Sequence, residues 1–367
     1  MVCCKEPYYP PIPGNHQFLV VDGFLNASQD STYITLSRTR NFGDSVSKIP
    51  ELNAQVMVLG ELGETLPLIP ISGGRYVSEN LNLVPSEKYQ LEIITQNGKK
   101  YLSDTIPVVI SPPIDSLSWS YDSLSAEILR GVTIKVNTHD PLNHTFYYRW
   151  EFLETWEYNA DFDAFYTYEN GLVVPRQPAE HTFSCWKTLP SETLLLATTD
   201  HLSQDIVAGF PLQFIPQNDE KLSIGYSMQV KQYALTKTAY DYWVNLKKNT
   251  ELTGSVFDPA PSQLTGNLHS LDDPTEPVLG YISSSSVQQK RNFISTYDLG
   301  YWNYTLPQGC FLKVVTADSV NFWFGSSGYE HFVPVSPKGL FDWWGAHPEC
   351  VDCTEKGGVA LKPSFWP

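Results

Sequence analysis

Over its first hundred residues the chain alternates apolar and polar positions with a period of two, and turn residues separate the runs. Residues 18–23, 33–37, 54–58 and 89–94 are the clearest runs, with successive side chains facing opposite sides of an extended strand. Gly73-Gly74 and Asn97-Gly98 fall between runs, where a hairpin turn needs positive φ. The second pair predicts an antiparallel hairpin joining residues 89–95 to 100–102. Short strands at this spacing predict an immunoglobulin-like β-sandwich over residues 14–111.

Ser111-Pro112-Pro113 breaks the alternation and marks a domain boundary, because two successive prolines cannot continue a hydrogen-bonded ladder. Strands resume at 114–122 and 132–136. The markedly aromatic run 145–152 reads as a central strand, and 277–283 and 310–315 are later ones. One segment changes period. Thr236 is a candidate N-cap, Ala239, Tyr242, Trp243 and Leu246 recur at three and four, and Lys247 and Lys248 sit near the end that favours cations. The expectation is an all-β protein. An immunoglobulin-like sandwich is followed by a larger β-sandwich domain over residues 112–367, with one short packed helix.

Composition agrees with this. The chain is 13% aromatic and only 17% charged, with 27 prolines, a balance that favours short strands and ordered loops over helical bundles. At 367 residues it is long for a single core. It carries 24 Lys and Arg against 40 Asp and Glu, a net charge of −16, and a field of that sign repels nucleic acid. No run approaches the roughly 20 apolar residues of a membrane helix. The start, Met1-Val2-Cys3-Cys4, has neither n-region nor h-region and reads as the remnant of a processed export signal.

Familiar active-site motifs are missing: no G-x-S-x-G elbow, no H-E-x-x-H helix, no Walker loop, no dinucleotide fingerprint. Neither a cofactor nor a metal is expected. His139-Asp140 and His144 come nearest to a cluster, and Glu154, Glu157, Asp161 and Asp163 lie in an aromatic stretch that could suit a glycan. Two aromatic concentrations stand out as candidate partner- or ligand-binding residues: Trp156 and Tyr168 bound the first, and Trp343 and Trp344 mark the second. Four cysteines, Cys185, Cys310, Cys350 and Cys353, occur late and can pair in three ways. The C-x-x-C at 350–353 lacks a second ligand pair for zinc and lies in a Gly/Pro-flanked tail rather than at a helix start, so structural disulfides are favoured. The expected pairing is Cys350 with Cys353 and Cys185 with Cys310.

Cys4-Lys5-Glu6-Pro7-Tyr8, Leu19-Val20-Val21-Asp22-Gly23, Pro113-Ile114-Asp115-Ser116-Leu117 and Cys185-Trp186-Lys187-Thr188 form an ordered set. The set continues with Gly254-Ser255-Val256-Phe257-Asp258-Pro259, Gly266-Asn267, Pro277-Val278-Leu279-Gly280-Tyr281, Cys350-Val351-Asp352-Cys353, Gly357-Gly358 and Lys362-Pro363-Ser364-Phe365-Trp366. Together these resemble the DUF4249 family of Bacteroidota over nearly the whole chain. The resemblance implies a cell-surface lipoprotein acylated at Cys4, with residues 1–13 as lipidated N-terminus and stalk. Cys3 departs from the pattern, standing where a small residue is usual, so either cysteine is a candidate for acylation. The family implies no enzymatic activity and a partner among outer-membrane β-barrels, either TonB-dependent-type transporters or assembly and secretion machinery. The leading expectation is an extracellular accessory subunit of such a barrel. A nutrient-binding lid is the alternative, and a glycan-processing enzyme ranks below both.

Overall fold

The alternating strands of the first hundred residues build one long, curled sheet. The computed structural model describes residues 17–40, 49–122, 130–251, 264, 266–300, 302, 304, 309–325 and 331–367. Cys4, the proline-rich stretch that follows it and the 254–261 loop lie outside these residues. In the curled sheet Leu19–Gly23 pairs with Thr32–Arg38, then come Arg75–Ser78, Thr65–Pro70, Gln55–Gly60, Lys88–Ile94 and Ile106–Val109. At the far end stand Ser284–Ser285 and Leu25–Asn26. Leu19–Gly23 and Leu25–Asn26 are consecutive in the chain yet lie at opposite ends of the order, so the sheet folds back over its own core. Gly23 makes that change of partner possible: at φ +142 a Cβ would stand 2.4 Å from the Tyr33 carbonyl oxygen. The Asn97-Gly98 hairpin forms as expected, pairing Lys88–Ile94 with Lys100–Ser103.

This first core closes only with residues from far down the chain. Leu268, Val278 and Ile282 pack into the same cluster as Leu19, Ile34, Val58 and Leu91. Leu268–Ser270 adds to Lys100–Ser103, and Ser284–Ser285 runs parallel between Ile106–Val109 and Leu25–Asn26. Asn267 acts as a surrogate strand residue, its amide donating to the Ile282 carbonyl and accepting from the Ile282 N–H, both at 2.8 Å. The expected strand over 277–283 is instead an irregular approach with a single bridge, Val20 to Leu279. The reason is steric. A Cβ on Gly280 would lie 2.0 Å from the Val21 carbonyl oxygen, and one on Gly266 would lie 1.8 Å from the Gly280 carbonyl oxygen, so three backbones meet where no side chain fits.

Beyond the proline pair, a second sandwich packs a three-stranded sheet (Ile114–Asp122, Gly131–His139, Ile206–Pro216) against a five-stranded one. The latter has the order Ser184–Pro190, Tyr147–Asn159, Gly225–Ala234, Val287–Ser295, with Leu195–Thr198 also on Tyr147–Asn159. The aromatic run is therefore central, as expected, and longer than its apolar pattern suggested. Its inward side chains Tyr148, Trp150, Phe152, Trp156 and Tyr158 line the core, with Trp150 stacked between Tyr148 and Phe210. The helix α1, Lys237–Glu251, lies on the outer face and is capped as expected, Thr236 Oγ1 accepting from the Ala239 N–H. The chain is thus all-β with few, short helices.

At the seam between the sandwiches Gln232 is fully buried. Its amide nitrogen donates to the Pro112 carbonyl at 2.7 Å and to Thr138 Oγ1 at 3.1 Å, while its oxygen accepts the Trp150 indole N–H at 2.9 Å. Thr138 Oγ1 in turn donates to the Pro113 carbonyl at 2.9 Å. The carbonyls of the proline connector, which have no ladder to join, are satisfied by side chains.

The disulfides differ from the expected pairing: Cys185 bonds Cys353, and Cys310 bonds Cys350. Pro348–Val351 is a single helical turn, after which Asp352 is extended, with φ −126 and ψ 105. That break sends the two cysteines of the C-x-x-C to different places, Cys353 into the main core and Cys350 into a smaller cluster.

Two measurements test these features. Gln232→Leu strands the Pro112 carbonyl and the Trp150 indole N–H, so urea unfolding should show a loss of about 3 kcal/mol; a loss below about 1 kcal/mol would mean that water replaces the amide. Peptide mapping without reductant should recover the 185–353 and 310–350 cross-links. Replacing Cys310 and Cys350 together by Ala should destabilise their 40-residue separation by about 4 kcal/mol.

Candidate functional site

The two aromatic concentrations of the sequence meet in one lobe beside the second sandwich. Its scaffold is a three-stranded sheet in which Asp342–Ala346 is central, flanked by Lys313–Val315 and Val333–Lys338. The hairpin Tyr166–Glu169 and Leu172–Pro175 lies alongside, turned by Asn170 and Gly171, both at positive φ. The lobe is fixed at its base. The Phe162 N–H donates to the Cys350 carbonyl at 2.9 Å, Cys310 is bonded to Cys350, and Ala164, Val335, Ala346 and Val351 pack around them. Further out, Val315, Phe324 and Phe332 form a second small core against which Tyr168, Val173, Trp323 and Trp343 pack.

Direction along the lobe follows from its register. The Phe165 N–H donates to the Val335 carbonyl, and the next residue, Tyr166, packs edge-on to Trp343, which pairs with Pro337. The hairpin therefore runs with Val333–Lys338, and its turn lies at the same end as the turn at Gly339. The short helix α2, Val320–Phe324, lies against the lobe, Asn321 accepting the Tyr168 hydroxyl and the Trp323 carbonyl accepting the Phe332 N–H. Leu340 and Phe341, in the turn after Gly339, are exposed at 91% and 73% of their full surfaces, and Leu172 and Phe322 are exposed elsewhere on the same lobe at 66% and 55%. Two adjacent large apolar side chains this exposed in one turn, with two more on the same small lobe, are not the scattered exposure of an ordinary surface.

Of the expected binding residues, Trp343, Trp344 and Tyr168 belong to the lobe, and each is half-buried in its scaffold. Trp343 supports Tyr166, and the Lys338 ammonium sits 4.6 Å from the Trp344 ring centroid. Trp156 does not join them. Its indole is buried in the sandwich core, 4% exposed, with its N–H donated to Glu220, so it is not available to a partner. Sequence reading passed over the residues that reach outward. Asn170-Gly171 was a type I′ turn signal that would have found the hairpin, and the glycine before Leu340-Phe341 marks the other turn.

Four of the acidic and histidine candidates, Glu154, Asp161, Asp140 and His139, are engaged in structure. Glu154 is buried and accepts from the Lys221 ammonium at 2.8 Å and the Tyr226 hydroxyl at 2.9 Å; Asp161 is paired with Lys356 at 2.7 Å. Asp140, although desolvated, is held below the ordinary carboxylate range by the N–H groups of Leu142, His144 and Thr145 that it caps. His139 instead bonds Asp115 at 2.7 Å, which raises its pKa. Among the described residues, Asp161, Cys310 and Cys350 gather within 4.8 Å as a metal-site geometry, but the two sulfurs are bonded to each other and the carboxylate to Lys356. No helix among the described residues is long and apolar enough to cross a membrane.

No curated protein matches the chain. A family model described as "Domain of unknown function (DUF4249)" matches residues 5–291, from ahead of the first sandwich through the returning segment to the last strand of the five-stranded sheet. That is well over half of the chain, and the protein belongs to the DUF4249 family.

Proposed function

We propose that this protein is a non-enzymatic surface lipoprotein of the outer membrane, acylated at Cys4, that serves as an extracellular accessory subunit of a membrane β-barrel complex and docks through the outer end of its aromatic lobe. The barrel is a TonB-dependent-type transporter or a component of assembly or secretion machinery. The observation that carries this reading is the exposure of Leu340 and Phe341 side by side in the turn after Gly339, on a lobe that also exposes Leu172 and Phe322. Exposed apolar side chains of this size cost free energy in water and recover it when a partner covers them, at ~25 cal/mol per Å². The disulfide and the packed tryptophans beneath hold the tip in one shape, so little freedom is lost on docking. The paired residues Lys338 and Asp342 flank the Leu340-Phe341 turn, giving it the apolar centre and polar border of a protein interface.

Anchoring at Cys4 would supply the complementary half of the attachment. Two or more acyl chains hold a protein at a bilayer durably, at ~0.8 kcal/mol per buried methylene, whereas one chain binds only marginally.

The reading is tested by replacing Leu340 and Phe341 together by Ser. Because both side chains point into solvent, the melting temperature should hold, while recovery of the barrel from solubilised outer membranes falls at least tenfold, as for an interface hot spot of ~2 kcal/mol. Undiminished barrel recovery would sink the lobe as the docking element. Separately, Cys4→Ser should move the protein into the soluble fraction; continued sedimentation with membranes in a strain lacking the barrel would refute the anchor.

A further inference from the structure

The strand Val287–Ser295 is the outermost of the five-stranded sheet and pairs with Gly225–Ala234 on one side only. Its hydrogen-bonding direction follows from its ends. The Val287 N–H donates to Ser28 Oγ at 2.8 Å and its carbonyl accepts from the same hydroxyl, so the Val287 backbone faces away from the sheet. The direction alternates along an antiparallel strand, so the backbones of Gln289, Arg291, Phe293 and Ser295 face outward as well. Thr296, one place further, donates back to the Ile224 carbonyl, as that alternation requires. Two of the outward N–H groups are met within the chain: that of Phe293 by Asn292 Oδ1 at 3.0 Å, and that of Ser295 by Asp298 Oδ2 at 2.8 Å. Side chains thus close the edge at both ends. Between them the backbone N–H and carbonyl of Gln289 and of Arg291 meet no partner among the described residues.

This stretch of edge is open to solvent. Gln289 and Lys290 point to opposite faces of the sheet, and both are exposed. Ile114–Asp122, the neighbouring strand of the other sheet, is tied to it through a side chain rather than a ladder, the Lys290 ammonium reaching the Ile114 and Asp115 carbonyls at 3.2 and 2.6 Å. Three other edges are guarded. Trp186 of Ser184–Pro190 exchanges both backbone bonds with Val359, Leu19 and Val21 bond Leu279, and Ile206–Pro216 is interrupted by Pro211 and two register shifts. The open strand carries Lys290 and Arg291 and no acidic residue. Neither cation meets a carboxylate among the described residues: Lys290 reaches carbonyls, and Arg291 donates to Ser227 Oγ and Gln229 Oε1 at 2.9 and 2.6 Å, beside the Phe365 ring. Asp30 touches the strand through the Gln289 side-chain amide, at 3.3 Å.

We propose that this edge takes up an extended, acidic segment of a partner polypeptide as a further strand of the sheet. Unpaired N–H and carbonyl groups repeating along an edge are answered by another backbone. A second copy of this chain fits badly. Antiparallel pairing of two such edges about their centre sets Gln289 against Arg291 and places Lys290 directly opposite the Lys290 of the other copy. Shifting the register one way sets Arg291 opposite Arg291, and shifting it the other way calls on the Val287 backbone, which Ser28 already holds. Like charges directly opposite are destabilising. Basic residues on an edge thus guard against self-pairing, and they favour a strand of opposite sign. Such a strand sets a carboxylate opposite Lys290 and an apolar side chain on the other face, where Phe293 is exposed.

Fluorescence anisotropy with the whole protein at low salt, and a labelled heptapeptide alternating valine and glutamate as probe, tests this. Saturable binding is expected, with the fully N-methylated peptide, which has no N–H to donate, giving none. Lys290→Glu should weaken the probe about tenfold, ~1.4 kcal/mol. Gln289→Pro should weaken it at least as much, because it removes an N–H that faces outward and leaves the ladder to Gly225–Ala234 in place. Melting curves will show that both variants are folded, and if the proline variant is not, Lys290→Glu decides. Deuterium uptake over residues 287–295 should fall when the probe binds. The proposal is overturned if wild-type protein shows no saturable binding, if the N-methylated peptide binds equally well, if a folded variant binds as tightly as wild type, or if uptake over 287–295 is unchanged. A wild-type dimer in sedimentation that Gln289→Pro abolishes would overturn the choice of partner. Nothing here rests on the lobe, and protein with Leu340 and Phe341 replaced by Ser is expected to bind the probe like wild type.

Discussion

The second sandwich begins at a place where a backbone cannot help itself. Pro112 brings a carbonyl into a buried seam while neither it nor Pro113 has an N–H to offer, and a buried carbonyl left unmet costs about as much as a whole point mutation usually does. Gln232 resolves this because an amide side chain carries both a donor and an acceptor: it bonds the connector with one end and the Trp150 indole with the other. Trp150 is the largest fully buried side chain among the described residues and stacks on both neighbours, so orienting it orients the core. A leucine of similar volume would fill the space without setting any direction. The registry of the two sandwiches thus depends on a polar group in an apolar place, satisfied on every side.

What could be read from sequence was what local physics decides. Period-two alternation located the strands of the first core, Asn97-Gly98 located a hairpin, and Thr236 with its following apolar stripe located α1. What escaped was settled by distance. The stretch from Gly266 to Ser285 has few apolar residues in alternation, and its role depends on backbones that touch residues more than two hundred positions earlier. The cysteines misled for a similar reason: proximity in sequence made Cys350 and Cys353 look like a ring, whereas one extended residue, Asp352, turns them apart. Among candidate binding residues the aromatic character of Trp156 was evident, but whether an indole faces the core or solvent depends on which strand lies opposite. Leu340 carried no signal beyond a preceding glycine, and Phe341 only opened the aromatic run that Trp343 and Trp344 mark.

The pairing that results does more than either expected bond would. Because Cys350 and Cys353 stand three residues apart and bond in opposite directions, the lobe and the sandwich are riveted to the same short turn. Asp161 with Lys356, and the Tyr158 hydroxyl with the Cys353 carbonyl, add polar ties across the same joint. A force applied at the outer end of the lobe is therefore delivered to the central strand Tyr147–Asn159 rather than absorbed in a hinge.

The returning segment has a temporal consequence. Ile106–Val109 and Leu25–Asn26 have no direct pairing with each other and are joined through Ser284–Ser285, so the first sandwich cannot be completed until most of the second has been synthesised. Until residue 285 has emerged, the earlier strands can form hairpins but leave Leu25 and the space for Ile282 uncovered. Closing so long a loop costs little more than closing one half its length, so the arrangement is affordable at equilibrium, while it slows folding by making the decisive contacts non-local. A chain emerging N-terminus first from the ribosome would thus keep its first core unfinished until nearly four-fifths of it had been made.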